Sequence, residues 1–145
     1  MVEVIDDIVK YLEEHRYLSL ATVSSDGIPM AATVSYASVG TTIYFSTGRT
    51  TNKFRNITKR SNIALTIDED YEDWGKIQGI QLIGKATLLE DVPGIEAAQK
   101  ALGSKFPQMA QMPANIDFAL FKIEPVKAYF LDNSKGFGHR DKVVF

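Results

Sequence analysis

Val4, Ile5, Ile8, Val9 and Leu12 return at helical spacing, with Asp6, Asp7, Glu13 and Glu14 around them. This period predicts an amphipathic helix over residues 2–15, whose apolar stripe packs as a lid on a sheet. From Tyr17 the chain turns β-rich. Residues 17–22 and 30–36 read as an antiparallel pair, because Ser24-Ser25-Asp26-Gly27 followed by Pro29 supplies hairpin turn chemistry between them. Val39-Gly40 marks another turn, and Thr42 to Ser46 is a third strand of β-branched and aromatic residues.

Thr47-Gly48-Arg49-Thr50-Thr51-Asn52-Lys53 then forms a loop that feeds a short helix carrying Phe54 and Ile57 and ending near Lys59. Ile63, Leu65 and Ile67 alternate with Ala64 and Thr66 in a fourth strand, which runs into the acidic stretch Asp68 to Asp73. A long fifth strand places Ile80, Leu82, Ala86 and Leu88 on one face, and Gly84 in that register predicts a bulge or a close backbone approach. Asp91-Val92-Pro93-Gly94 opens a second amphipathic helix through Ile95, Ala98 and Leu102, with Gly103 placed to end it. A connector without clear periodicity spans residues 104–115. Two further strands, 117–123 and 126–131, are separated by Glu124-Pro125. Six or seven hairpin-linked strands with three short helices predict a mainly β fold: a small antiparallel barrel with peripheral helices, in one domain over residues 1–145.

Composition narrows the chemistry. With no cysteine and two histidines, disulfides, iron–sulfur clusters, thiol nucleophiles and cysteine-based zinc sites are excluded, and no metal site is expected. The acidic run at residues 68–73 lacks the glycine and distal glutamate of a calcium loop and reads as solvated. The first helix is acidic rather than basic and apolar, and no apolar run reaches the ~20 residues of a membrane span. These features predict a cytoplasmic, non-membrane protein. His15, at the end of the first helix, reads as a cap on its dipole. Trp74, Phe118, Phe121, Tyr129 and Phe130 read as core or dimer interface.

The charge pattern supplies the sharpest candidate. Between Asp26 and Asp68 there is no acidic residue, yet Arg49, Lys53, Arg55, Lys59 and Arg60 fall there in a chain of net charge -2. A phosphate needs oriented N–H donors, hydroxyls and a cation, and the start of a helix supplies the first. Residues 46–53 hold all three: Lys53 as the point charge, Thr47 and Thr51 as hydroxyls, Asn52 as an amide donor and Arg49 as a second cation. The same loop also fits an ordinary solvated helix cap. It lacks the spacing of a nucleoside triphosphate loop. The negative overall charge and the lack of an aromatic-interleaved platform argue against nucleic acid.

The order of these features resembles the FMN-binding split barrel, the family of pyridoxamine 5'-phosphate oxidase and its relatives. The resemblance rests on Asp26-Gly27-x-Pro29 between two strands, a strand entering a hydroxyl-rich loop with Asn52-Lys53, and Asn62-Ile63-Ala64-Leu65 after the helix. Ile83-Gly84-Lys85-Ala86 fits the family's long strand. The resemblance implies that Ala32, Thr33, Val34 and Ser35 run along the flavin, that Ser46 and Thr47 reach its ribityl phosphate, and that Lys53 is the phosphate-binding lysine. Asn52 stands where the family has an arginine, and Ala32 where a further arginine is common. Gly79 stands where the family has a glutamine, so Gln81 is the candidate replacement.

Near the C-terminus the oxidase has an aromatic residue and a basic Arg-x-His-x-Arg group, of which this chain keeps only His139 and Arg140 as substrate contacts. The resemblance therefore implies an FMN-dependent oxidoreductase acting on an unidentified small molecule rather than the oxidase itself, in a homodimer with flavin sites between protomers. It leaves open a non-catalytic flavin-binding or sensing protein, a deazaflavin-dependent reductase, and a haem-binding or haem-degrading relative with His139 as axial ligand.

Overall fold

The computed structural model describes residues 2–112 and 117–145. Helix α1 (Val2–Glu14) is followed by strands β1 (Tyr17–Val23), β2 (Pro29–Ser35), β3 (Ala37–Val39) and β4 (Thr42–Gly48). Then come α2 (Asn52–Lys59), β5 (Asn62–Ile67), β6 (Gln78–Leu88), α3 (Val92–Lys105), β7 (Phe118–Asp132) and β8 (Arg140–Val144), with short 3₁₀ turns at Trp74–Lys76, Pro107–Gln111 and Asn133–Lys135. All the strands join one antiparallel sheet of order β2-β1-β5-β6-β7-β4-β3, and β8 pairs with β7.

Consecutive strands β2 and β3 stand at opposite edges of that sheet, joined by the single residue Tyr36. Two edges one residue apart force the sheet to curl until they meet, so the fold is a split barrel. Tyr36 is fully buried, its hydroxyl donates to the Leu12 carbonyl at 2.7 Å, and its backbone N–H donates to Arg16 O at 3.1 Å. Burial raises its phenol pKa, which keeps the hydroxyl a donor. The Lys105 ammonium lies 4.0 Å from its ring and also donates to the carbonyls of Leu12 and His15, capping the end of α1.

Inside the barrel, Leu18 and Leu20 of β1, Ile43 and Phe45 of β4, and Phe121 and Ile123 of β7 meet Ile8 and Leu12 of α1. The lid predicted from the helical stripe therefore closes one end. A second, smaller core lies outside the sheet, where Tyr44 of β4 faces Ala98, Leu102 and Phe106. His15 stacks on Tyr11 at 3.8 Å and bonds the Tyr11 carbonyl at 2.8 Å, so it caps α1 as expected, and its other ring nitrogen bonds Glu69.

The expected six or seven strands become eight. The segment 117–131, expected as two strands broken at Glu124-Pro125, is one strand of 15 residues. It changes partner at that point: Phe118 to Ile123 pair with β4, and Lys127 to Leu131 pair with β8. Pro125 lacks the N–H that a ladder needs and sits where β7 passes from one partner to the other. Across from it, the β6 register jumps between Ile83 and Gly84, leaving Val126 as the extra residue of a bulge. β3 and β8 are the added strands; each is short and lies at an edge, where the sequence shows little alternation.

Three further expectations change. Helix α3 passes through Gly103 and stops at Lys105, because the buried Phe106 donates its N–H to Leu102 O and anchors the end. Trp74 is 68% exposed beside the exposed Phe137, so it is not core. The connector reaches into Pro113 and Asn115, which lie outside the described residues.

A methyl group on Gly84 would sit 2.6 Å from the Glu124 carbonyl oxygen of β7. Gly84→Ala is expected to lower unfolding free energy by roughly 1–3 kcal/mol, the usual cost of overpacking. Urea denaturation reads this as a lower midpoint at unchanged slope; an unchanged midpoint would mean that β7 yields freely there.

Candidate functional site: the open seam of the barrel

Where β2 and β4 approach without pairing, Thr33, Val34 and Ser35 face Ser46, Thr47 and Gly48 across a cleft of about 400 Å³ that Lys53 also lines. Phe106, Gln108, Met109, Met112 and Phe118 form its far wall. A neighbouring hollow of about 280 Å³ takes Ala32, Thr51 and Asn52, and Lys53 lines both. Nine of the ten residues put forward for the cofactor, Lys53 among them, thus line one or the other of these two spaces.

Local chemistry fixes this corner. Thr51 is the N-cap of α2: its Oγ1 accepts from the Phe54 N–H at 3.2 Å and donates to Gly48 O at 3.0 Å. The Thr51 proton is therefore already used within the loop. Thr47 Oγ1, 2.9 Å from Thr51 Oγ1, is then the donor of that contact, and its oxygen keeps a lone pair toward the cleft. The N–H groups of Asn52 and Lys53 open the helix and have no backbone partner among the described residues.

The five cations of the acid-free window separate by their contacts. Arg49 pairs with Asp117 at 3.1 Å. Arg55 folds back on Thr50 O at 2.8 Å and on the Asn52 side-chain oxygen, and Arg60 reaches Ser25 O at 3.3 Å. Lys53 and the exposed Lys59 have no salt-bridge partner among the described residues, and of the two only Lys53 lines the cleft, where it is the titratable group among those residues. Among the described residues the lining holds no acid–base pair, and its groups are suited to binding and orienting a ligand.

The remaining predicted residues lie elsewhere in the chain. Gln81 points to the outer face of β6, in a shallow groove of about 360 Å³ with Ala21, Ala31, Ala64, Ile83 and Tyr129. Arg140 stacks on that Tyr129 at 4.4 Å, and His139 bonds Asp141 at 3.2 Å. Neither tail residue lines the Lys53 cleft. The groove and the cleft meet at β2, whose Ala31 faces one and whose Thr33 and Ser35 face the other.

Sequence reasoning missed the far wall and the buried Asn56. Phe106, Met109 and Met112 are spaced by three, a one-sided 3₁₀ pattern that was the available signal. Asn56 Nδ2 donates to Thr22 Oγ1 at 3.0 Å inside the barrel, tying α2 to β1, and nothing in the sequence marks it.

The family model described as pyridoxamine 5'-phosphate oxidase matches residues 4–132. The chain belongs to this family. Among solved structures it is similar to a candidate pyridoxamine 5'-phosphate oxidase from Listeria innocua, at 21% identity over 89% of this chain and 98% of that one, with a TM-score of 0.73. It is similar to HutZ, the heme storage protein of Vibrio cholerae, at 18% identity over 83% and 88% of the two chains, with a TM-score of 0.71. A heme binding protein from Mycobacterium smegmatis shares 18% identity over 92% of this chain but 55% of its own, with a TM-score of 0.77. At these identities the structural likenesses establish the fold alone. Among curated proteins none matches the sequence. No helix among the described residues is long and apolar enough to cross a membrane.

Asn56→Ala is expected to cost roughly 1–3 kcal/mol by leaving the Thr22 hydroxyl buried and unpaired. Pairing it with Thr22→Val should recover part of that loss in a double-mutant cycle of urea midpoints. Strict additivity would show that the hydrogen bond contributes nothing.

Proposed function

We propose that this member of the pyridoxamine 5'-phosphate oxidase family is a cytoplasmic, single-domain FMN-binding flavoprotein that acts as an oxidoreductase on a small molecule. The observation that carries the reading is Lys53: an unpaired cation at the start of α2, on the cleft that β2 and β4 leave open. The phosphate would be held by the Lys53 ammonium and the Asn52 and Lys53 N–H groups, with Ser46, Thr47, Thr51 and the Asn52 side chain beside it. Ala32 to Ser35 of β2 would lie along the ring. Bound FMN would supply reversible electron or hydride transfer, and the chain would supply orientation and exclusion of water. The apolar wall of Phe106, Met109 and Met112 suits a flat ring more than a sugar.

A homodimer belongs to the same proposal. The groove around Ala21, Ala31 and Ala64 is lined by small residues, Ile83 within it is 43% exposed, and it adjoins the cleft along β2. A second copy seated there would roof the cleft and carry its own Gln81, Arg140 and His139 toward it, which a single protomer does not do. Ala31→Arg should halve the mass measured by light scattering at micromolar concentration; an unchanged dimer would move the interface elsewhere.

The heme-named structural relatives favour a second reading, in which the cleft holds haem. Purified protein and the mass of its released chromophore separate the two. FMN in stoichiometric amount supports the first reading, and a haem absorbance band lost in His139→Ala supports the second. Turnover of a reduced nicotinamide donor with an acceptor distinguishes an enzyme from a flavin store, and a released deazaflavin would change the cofactor while keeping the site.

Lys53→Ala is expected to weaken FMN binding by ~1.5–3 kcal/mol, about ten- to a hundredfold. Arg60→Ala, whose guanidinium already bonds a backbone carbonyl at an exposed position, should leave the affinity unchanged. Equal flavin affinity in Lys53→Ala would remove the phosphate from this corner.

A further inference from the structure

On the opposite side of α3 from the Lys53 cleft, a second cavity of about 610 Å³ opens between the end of α1, strand β3 and α3. Its volume is that of a small-molecule site. The wall from α3 comes from residues spaced three and four apart, among them Ala97, Ala101 and Ser104, so small side chains leave the space open. The ring of Tyr44 forms the apolar side.

Two cations converge there. Lys100 lines the cavity and has no salt-bridge partner among the described residues. Lys105 uses two of its three N–H bonds on the carbonyls of Leu12 and His15, which leaves one for a ligand. Against these two cations the lining offers one carboxylate, Glu13.

We propose that this cavity is a second ligand site, taking a small organic anion with an apolar body whose charged group meets Lys100 and the third N–H of Lys105. The state of Lys105 agrees with that assignment. Burial and then the nearby Arg16 lower its pKa, Glu13 only partly opposes them, and the net result is a pKa of about 8. The ammonium is therefore short of negative charge where it sits, and a bound anion supplies it. The apolar body would lie against Ala101 and the Tyr44 ring.

The site is independent of the flavin proposal, and the test keeps the two apart. The probe is 8-anilinonaphthalene-1-sulfonate, an aromatic sulfonate whose fluorescence rises on leaving water, titrated into wild type, Lys100→Glu, Ala101→Trp and Lys53→Ala, with an FMN titration beside each. Saturable binding at one site per chain is expected, weakened about tenfold or more in Lys100→Glu by charge reversal. Ala101→Trp, which fills the cavity, should abolish it, and Lys53→Ala should leave it unchanged. Lys100 is exposed, so its variant keeps the test valid if Ala101→Trp fails to fold. Failure of saturable binding, an affinity unchanged in Lys100→Glu, or loss of the probe in Lys53→Ala would each overturn the assignment. FMN affinity should change only in Lys53→Ala, whatever the probe does.

Discussion

One residue, Tyr36, joins the two edges of the sheet, and the rest of the molecule follows from that constraint. Seven strands in the order β2-β1-β5-β6-β7-β4-β3 could form an open, twisted sheet, but β2 and β3 are consecutive in the chain with a single residue between them. The sheet must close, and its closure has to be held, because β2 and β4 do not pair where they meet. Tyr36 is buried with its hydroxyl on the last turn of α1, and Lys105 lies over its ring. Helix α1, the edge crossover and the end of α3 therefore meet at one point, and the seam beside that point stays open for a ligand.

Strand β7 sets where the seam can be. It pairs with β6 along nearly its whole length but divides its other edge between β4 and β8, with Pro125 at the change and Gly84 opposite. The half that holds β4 fixes Ser46 to Gly48, and through them Thr51 and the start of α2. The other half carries β8 and the tail residues His139 and Arg140 to the outer face. The Lys53 corner on one side and the tail residues on the other thus follow from one strand with two partners. Gly84 matters because a side chain there would push apart the backbones on which both halves depend.

Much of this was legible in the sequence because it rests on local periodicity. The stripe of α1, the hairpin at Asp26-Gly27 and the alternation of β5 each follow from residues close together in the chain, and the structure has them all. The Lys53 corner was legible for a related reason: a cap, hydroxyls and cations within eight residues are a local pattern. What was not legible depends on contacts between distant segments. Glu124-Pro125 reads as a break in any local window, and only the register with β6 makes it a bulge in a continuous strand. Asn56 looks like any helical asparagine until Thr22 stands beside it. Gln81 lies on the outer face of β6 and does not line the cleft, which only the sheet register reveals.

The acid-free window shows how charge that looks like a patch in sequence becomes selective in three dimensions. Arg49, Arg55 and Arg60 all spend their guanidinium groups on contacts that brace the loop or the turn beside it. A corner braced by arginines, with the uncommitted Lys53 on the cleft and Lys59 at the far end of α2, differs from a diffuse basic surface, since the field in the cleft is strongest at one atom and falls off within the screening length of the solvent. The same logic separates the two sides of α3. Leu102 and Phe106 turn toward the Lys53 cleft, while Ala101 and Lys105 line the second cavity. A helix held at its end by the buried Phe106 and by Lys105 on Tyr36 makes one fixed wall serve two cavities, and the crossover that closes the barrel also fixes the shape of both.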